Sequence, residues 1–439
     1  MSPEALGMLL LSVMIVTILI GFPISFTLLL LALAFGYIGM GNKVFYLMVI
    51  QMFGFMKEEV LAAVPLFVFM GFMTEQAGLM ERLFGAFRLL LAPVRGSLYI
   101  GVILTATVFA MATGIVGAAV TVLGIMAAPT MMRAGYNMRL SAGAIAAGGT
   151  LGILIPPSVM LVVMGPVMGV SVVKLYAAAF GPGFLLSLLY IAYCLIRSYW
   201  NPAFGPALPA EERAASVRQI LRELLVGMVP LGALIIATLG SILGGLATPS
   251  EAAAVGASGS IVLALAYRQL TWARFQDAML KTLQTSSMVL FLAVASNVFG
   301  AVFARLGSAT LMTETLIALP FSPIVMLLIV MLLIFVLGWP FEWPVIVLVF
   351  VPILFPLVQA MKWDLIWFCT LVAVNLQTAY LSPPVAMSAY YLKAVVPSWE
   401  LKDIYIGMMQ FMVLQLIGLL AVIFFPEIAL WLPNRLFGP

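Results

Sequence analysis

Oxygen-bearing side chains gather in two stretches of this sequence that cannot form an unbroken helix. One runs from Gly148-Gly149-Thr150-Leu151-Gly152 to Pro156-Pro157-Ser158, where three glycines and two prolines within 11 residues interrupt the helical ladder. Thr150 and Ser158 supply hydroxyls there. The other runs from Asn375-Leu376-Gln377-Thr378 to Ser382-Pro383-Pro384, and Asn375, Gln377, Thr378 and Ser382 all carry side-chain oxygens. Neutral oxygens beside unwound backbone carbonyls suit a hard cation such as Na⁺. The half-helix N-termini at such breaks turn positive partial charge toward an anion. Two shorter interruptions lie inside long apolar runs: Ala112-Thr113-Gly114-Ile115-Val116-Gly117-Ala118 and Gly338-Trp339-Pro340-Phe341-Glu342-Trp343-Pro344. Gly114 and Gly117 permit a tight turn, and Thr113 offers a hydroxyl. Glu342 is a carboxylate in an apolar run, which marks it as functional unless it meets water at a shallow tip. The plainer readings are a small-residue packing face at 113–117 and kinks at the prolines.

Composition says where these stretches lie. Of 439 residues, 64% are hydrophobic and 8% charged, against about 25% charged in a soluble domain. No aqueous fold hides that much apolar surface. The chain is read as an all-α polytopic membrane protein with about 11 spans plus re-entrant pieces. Without histidine, Ser–His catalysis and His-ligated zinc or haem are excluded. Glu342 has no acidic partner in sequence, so an enzyme is not expected. Cys194 and Cys369 sit in apolar runs as small hydrophobes. The net charge of +4 is scattered at helix ends and does not suggest nucleic acid.

Spans are expected at 5–22 (a true span, without the basic start of a signal peptide), 24–40, 44–57, 60–80, 176–197, 224–245, 250–267, 286–304 and 404–425. The long runs 98–132 and 323–361 are broken at their centres, and 140–173 and 364–392 at their Pro-Pro pairs. Pro129 precedes Pro156-Pro157 by 27 residues, and Pro356 precedes Pro383-Pro384 by the same 27, so the halves repeat at an offset of 227. Charge then orients them. Arg82, Arg88, Arg95, Arg133 and Arg139 flank the first hairpin, whereas the second has Glu314 before it, with Arg305 farther back, and Lys362 and Asp364 after it. By the positive-inside rule, the first hairpin enters from the cytoplasm and the second from outside, an inverted repeat. The N-terminus is then cytoplasmic and the C-terminus periplasmic.

At Pro65-Leu66-Phe67-Val68-Phe69-Met70-Gly71, Thr113–Ala118, Gly152-Ile153-Leu154-Ile155-Pro156-Pro157-Ser158, Asn375-Leu376-Gln377-Thr378 and Pro383-Pro384, the chain resembles the large membrane subunit of a tripartite ATP-independent periplasmic (TRAP) transporter. The resemblance covers about residues 5–425. It implies an elevator-type secondary transporter of the bacterial inner membrane, coupled to Na⁺ and without a covalent cofactor. It implies a Na⁺ site where each hairpin tip meets its broken helix. The first would hold Thr113, Gly114, Gly117, Gly149, Thr150, Pro156 and Ser158, and the second Gly338, Glu342, Asn375, Gln377, Thr378, Ser382 and Pro383. The implied partners are a small four-helix membrane subunit, a periplasmic binding protein and the membrane lipid. The implied cargo is an organic acid. The first tip has Thr113 as its lone hydroxyl where relatives are serine-rich, so carbonyls must contribute more. The second tip resembles the branch labelled for mannitol and chloroaromatic compounds, which includes 2-oxo and hydroxy acid systems. A self-sufficient Na⁺/divalent-anion symporter of similar fold is the alternative, but its Ser-Asn-Thr tips are absent. In these terms residues 1–97 are first-repeat scaffold helices and 98–175 the first hairpin and broken helix. Residues 176–285 are scaffold, with a cytoplasmic linker 198–223 and an amphipathic interfacial segment 269–285. Residues 286–322 are the second-repeat helix and external connector, 323–392 the second hairpin and broken helix, and 393–439 the last span and external C-terminus.

Overall fold

The computed structural model describes residues 2–209, 213, 216–383 and 386–438. Glu211 and Glu212 of the polar segment, and Pro384 of the second break, lie outside them. Among the described residues all regular structure is helical. Helices α1 (Pro3–Leu19), α2 (Ile24–Met40) and α3 (Lys43–Met56) lead into α4 (Ala63–Gln76) and the amphipathic α5 (Leu79–Leu91). Then come α6 (Ser97–Thr113), α7 (Val116–Arg133), α8 (Met138–Thr150), α9 (Val159–Met168) and α10 (Val172–Trp200). The middle of the chain forms α11 (Arg218–Leu243), α12 (Pro249–Ala266), α13 (Trp272–Arg305) and the short α14 (Ser308–Ile317). The second set is α15 (Pro323–Leu337), α16 (Trp343–Ala360), α17 (Leu365–Leu376), α18 (Met387–Val395), α19 (Leu401–Phe424) and α20 (Glu427–Phe437). Among the described residues, eight helices are long and apolar enough to cross a membrane.

Local chemistry explains the starts and stops. Ser2 caps α1, accepting from the Ala5 amide at 3.2 Å with Pro3 in the first turn, and Gly21-Phe22-Pro23 ends that helix. Asn137 caps α8 through the Leu140 amide at 3.0 Å, and Asp364 caps α17 through the Trp367 amide at 2.7 Å. Those two caps are 227 positions apart, like their helices. Val116–Arg133 likewise returns as Trp343–Ala360, so the repeat read from six prolines extends to helix boundaries.

Two readings change. The segment 269–285 is not a separate interfacial helix, and the division at 285 falls inside α13, which runs unbroken for 34 residues. No glycine or proline interrupts residues 272–299, and propagation of a formed helix is easier than a second nucleation. The linker 198–223 also ends early: α11 starts by residue 217, placing Arg218, Arg222 and Glu223 on its first turns. Helix α10, placed by order in the scaffold, packs most on α20 and also against α6, α9, α17 and α19. Small residues make that fit. Gly183 takes the Ile155 side chain, and Ser187 meets Thr107 of α6 at 2.9 Å.

The helices form two bodies. In one, α2, α3, α4, α12 and α13 pack together, with α11 against α5. In the other, α8 lies along α19 with α6, α7, α10 and α17 around them. They meet where α4 and α5 pack against α6 and where α13 packs against α16. The α8–α19 contact is close enough that a Cβ on Gly407 would lie 2.0 Å from the Arg139 carbonyl oxygen. Gly407→Ala is therefore expected to force the two helices apart, at a cost of about 1–3 kcal/mol, seen as a lowered melting temperature of the purified protein in detergent.

Candidate functional site

The first tip is a turn closed by Gly114. Its φ of 62° lies in the left-handed region, and its amide donates to the Ala110 carbonyl at 3.4 Å. A Cβ there would come within 3.0 Å of the Pro157 carbonyl oxygen, so the tip backbone rests directly on the first break. Thr113 turns its hydroxyl into its own helix, donating to Phe109 at 3.2 Å. Ser158 caps α9, accepting from the Leu161 amide at 3.4 Å and donating to the Ile153 carbonyl at 2.5 Å. Pro156 and Pro157 are buried and joined by a cis peptide bond, and Gly149 packs on Val120 of α7. The hydroxyl protons of this group are spent on backbone carbonyls, leaving the oxygens' remaining lone pairs and the unwound carbonyls as donors to a cation.

The second break is built differently. The Asn375 amide donates to the Met331 carbonyl of α15 at 2.7 Å, tying broken helix to hairpin. Thr378 donates to the Asn375 carbonyl at 2.6 Å, and Ser382 to the Thr378 carbonyl at 2.7 Å. Asn375 Oδ1 is buried without a donor among the described residues. An orphaned carbonyl oxygen is costly in an apolar interior, and it is the type of ligand a hard cation takes. The residues present therefore fit Na⁺ at this break. Gly338 approaches Ala379, while Pro383 is exposed.

Between the tips lies a cavity of about 200 Å³. The first residues of α7 (Val116, Gly117), α9 (Val159) and α16 (Trp343, Pro344) line it together with Glu342. Three helix N-termini thus face one space, and their free amides and dipoles favour an anion. Tyr380 and Tyr391 line it from the second broken helix, and Val68, Thr285, Met288 and Val289 from α4 and α13. No lysine or arginine is among the described lining residues. Glu342 is exposed to this space as the residue preceding α16, and its side chain caps no backbone amide. Trp343 is buried over the cavity, whereas Trp339 points away and packs edge-on against Phe335 at 5.8 Å.

The two groups meet in the interior. Thr150 donates to Gln377 Oε1 at 3.2 Å, across the 227 positions of the repeat. Gly114, Gly117 and Glu342 share the cavity, while Thr150, Asn375, Gln377, Thr378 and Ser382 lie fully buried behind it. Sequence reading missed Tyr380 and Tyr391, whose signal was their place beside the Pro-Pro break. It also missed Gln415, a lone buried amide in the apolar helix α19 and a signal in its own right.

Comparison with known proteins places these observations. The family described as tripartite ATP-independent periplasmic transporter, DctM component, matches residues 11–428. The C4-dicarboxylate TRAP transporter large permease protein of Pseudomonas aeruginosa is 30% identical, covering 88% of this chain and 89% of its own. The sialic acid TRAP transporter large permease protein of Vibrio cholerae is 30% identical over 95% and 96% of the two chains. Among solved structures, the Alcanivorax borkumensis YdaH transporter shares the fold with a TM-score of 0.60 at 16% identity, covering 96% of this chain and 98% of that one.

Asn375→Leu removes both the tie to Met331 and the orphaned oxygen. We expect the Met331 contact to cost about 1–3 kcal/mol when lost, and any protection of the purified protein by NaCl over KCl against thermal unfolding to shrink with it.

Proposed function

The chain belongs to the DctM component family of tripartite ATP-independent periplasmic transporters, and on that footing we propose that it is the large permease subunit of a Na⁺-coupled organic acid importer in the bacterial inner membrane. The observation that carries this reading is the convergence of three helix N-termini on one cavity between two hairpin tips. A carboxylate placed there meets backbone amides and aligned dipoles, and it needs no buried lysine or arginine. The small volume, about 200 Å³, lies below that of drug-sized pockets and favours a small acid. A 2-oxo or hydroxy acid, the cargo suggested by Pro340 and Glu342 in the variant second tip, fits this range. The relatives' C4-dicarboxylate and sialic acid mark the wider class.

Na⁺ is co-transported cargo in this reading. Asn375 Oδ1 and the carbonyls of the second break would take one ion, and Thr150, Gly149 and the first tip another. Filling these sites neutralises carbonyl-rich backbone beneath the tips and lets the anion settle above it. Alternating access follows an elevator scheme, with 11 spans and two re-entrant hairpins in inverted repeat. The body of α6–α10 and α15–α19 slides against α1–α4 and α11–α13. Gly71 of α4 suits this motion, because its bare backbone faces the backbone of Thr113 with no side chain to catch. The N-terminus would be cytoplasmic and the C-terminus periplasmic. A small four-helix subunit would pack on the scaffold, and a periplasmic binding protein would deliver the acid.

Reconstituted in liposomes with both partners and an inward Na⁺ gradient, the chain is expected to accumulate the acid, and uptake by the chain alone would overturn the tripartite reading. Thr150→Val should raise the Na⁺ concentration for half-maximal uptake by about tenfold; an unchanged Na⁺ titration would remove Thr150 from the site. Glu342→Gln should depress uptake, and full activity in that variant would reduce Glu342 to a solvated tip.

A further inference from the structure

Behind the cavity four polar side chains from four helices meet in a space closed to solvent. Gln415 of α19 donates from Nε2 to Thr150 Oγ1 at 3.2 Å. Thr150 in turn lies 3.2 Å from Gln377 Oε1, sharing its proton between that amide and the Ala147 carbonyl at 2.8 Å. The Tyr190 hydroxyl of α10 stands beside Gln415 and Thr150, its ring held edge-on against Phe411 at 5.4 Å. Thr150, Gln377, Gln415 and Tyr190 are each 0% exposed. Gln415 Oε1, Gln377 Nε2 and the Tyr190 hydroxyl have no hydrogen-bond partner among the described residues.

We propose that Gln415 is a positioning residue that couples the two cation sites, holding Thr150 at the end of α8 and, through it, Gln377 just past the end of α17. This rests on the Na⁺ reading above. The chain of contacts is continuous: Gln415 to Thr150 to Gln377, with Gln377 two residues from Asn375. Each break ends its helix within one residue of this bridge. A cation that draws the carbonyls of one break inward shifts Thr150 or Gln377, and the shared hydrogen bond passes that shift to the other. Three unused polar atoms of mixed type, an amide donor, a carbonyl acceptor and a hydroxyl, allow the bridge to re-pair when one side moves. Gln415 does not ligand the ions in this scheme. Its removal weakens communication between sites that still bind.

The test is the melting temperature of the purified full chain in detergent, followed by intrinsic tryptophan fluorescence. NaCl is titrated at constant ionic strength against choline chloride. The wild-type protein should be stabilised with a Hill coefficient approaching about 2, the number of sites. Gln415→Met, nearly equal in volume, should remain Na⁺-responsive with a coefficient near about 1. Gln415→Asn, one methylene too short to reach Thr150, is the second variant and should behave alike. Gln410→Met, on the same helix but bonded to Tyr193 at 2.6 Å, should keep the wild-type coefficient. Wild-type cooperativity in both Gln415 variants overturns the inference, as does an equal loss in Gln410→Met. A wild-type protein that Na⁺ does not stabilise overturns the Na⁺ reading itself, and this inference with it.

Discussion

A bilayer offers no hydrogen bonds, so backbone that leaves a helix inside it must find partners within the protein. That constraint organises this molecule. The interruptions in its helices pack on one another where they are buried, while Glu342 and Pro383 stay exposed. The first tip rests on Pro157, Gly338 on Ala379, and Asn375 reaches across to the Met331 carbonyl. Each break is tolerable because another break, or the hairpin that serves it, lies beside it. The polar atoms left over are what a site can be made from. The helix N-termini generated by the same interruptions then face the cavity, so one departure from regular structure leaves both unpaired oxygens and open helix starts.

Repetition supplies the second break for each first one. Helix boundaries, capping residues and Pro-Pro breaks recur at one offset, and the bond between Thr150 and Gln377 joins equivalent positions of the two halves. The repeats are not chemically equal. Hydroxyls of the first group are turned inward on carbonyls, while the second group leaves an amide oxygen free. Two polar clusters on a shared plan therefore present different unpaired atoms.

Local signals made much of this visible in the amino-acid sequence. Asn137 and Asp364 announce helix starts, Gly114 announces a turn, and the Pro-Pro pairs announce the broken helices. What escaped was set by packing between distant segments. Nothing near Tyr190 or Ser187 says that α10 lies on the broken helices; Ile155 and Thr107, far along the chain, decide it. The polar stretch before residue 286 looked like a surface helix because its charges are real, and only the absence of any breaker hints that it continues into the span. Tyr380 and Tyr391 enter the cavity because the second break folds them there, which composition does not reveal.

Helix α13 has a geometric consequence of its own. Its 34 residues extend about 51 Å at 1.5 Å per residue, against a hydrocarbon thickness of about 30 Å. Tilt alone would have to exceed about 50° to contain it, beyond the range helices adopt, so one end stands in water. Arg274, Asp277 and Lys281 lie at that end, where Arg274 donates to the Gln76 carbonyl at 3.3 Å and Gln76 to Asp277 at 2.8 Å. Farther along the same rod, Thr285, Met288 and Val289 form a wall of the cavity. An unbroken helix is stiff along its length, so α13 acts as a strut. Whatever grips its polar foot outside the bilayer also fixes the position of the wall within it.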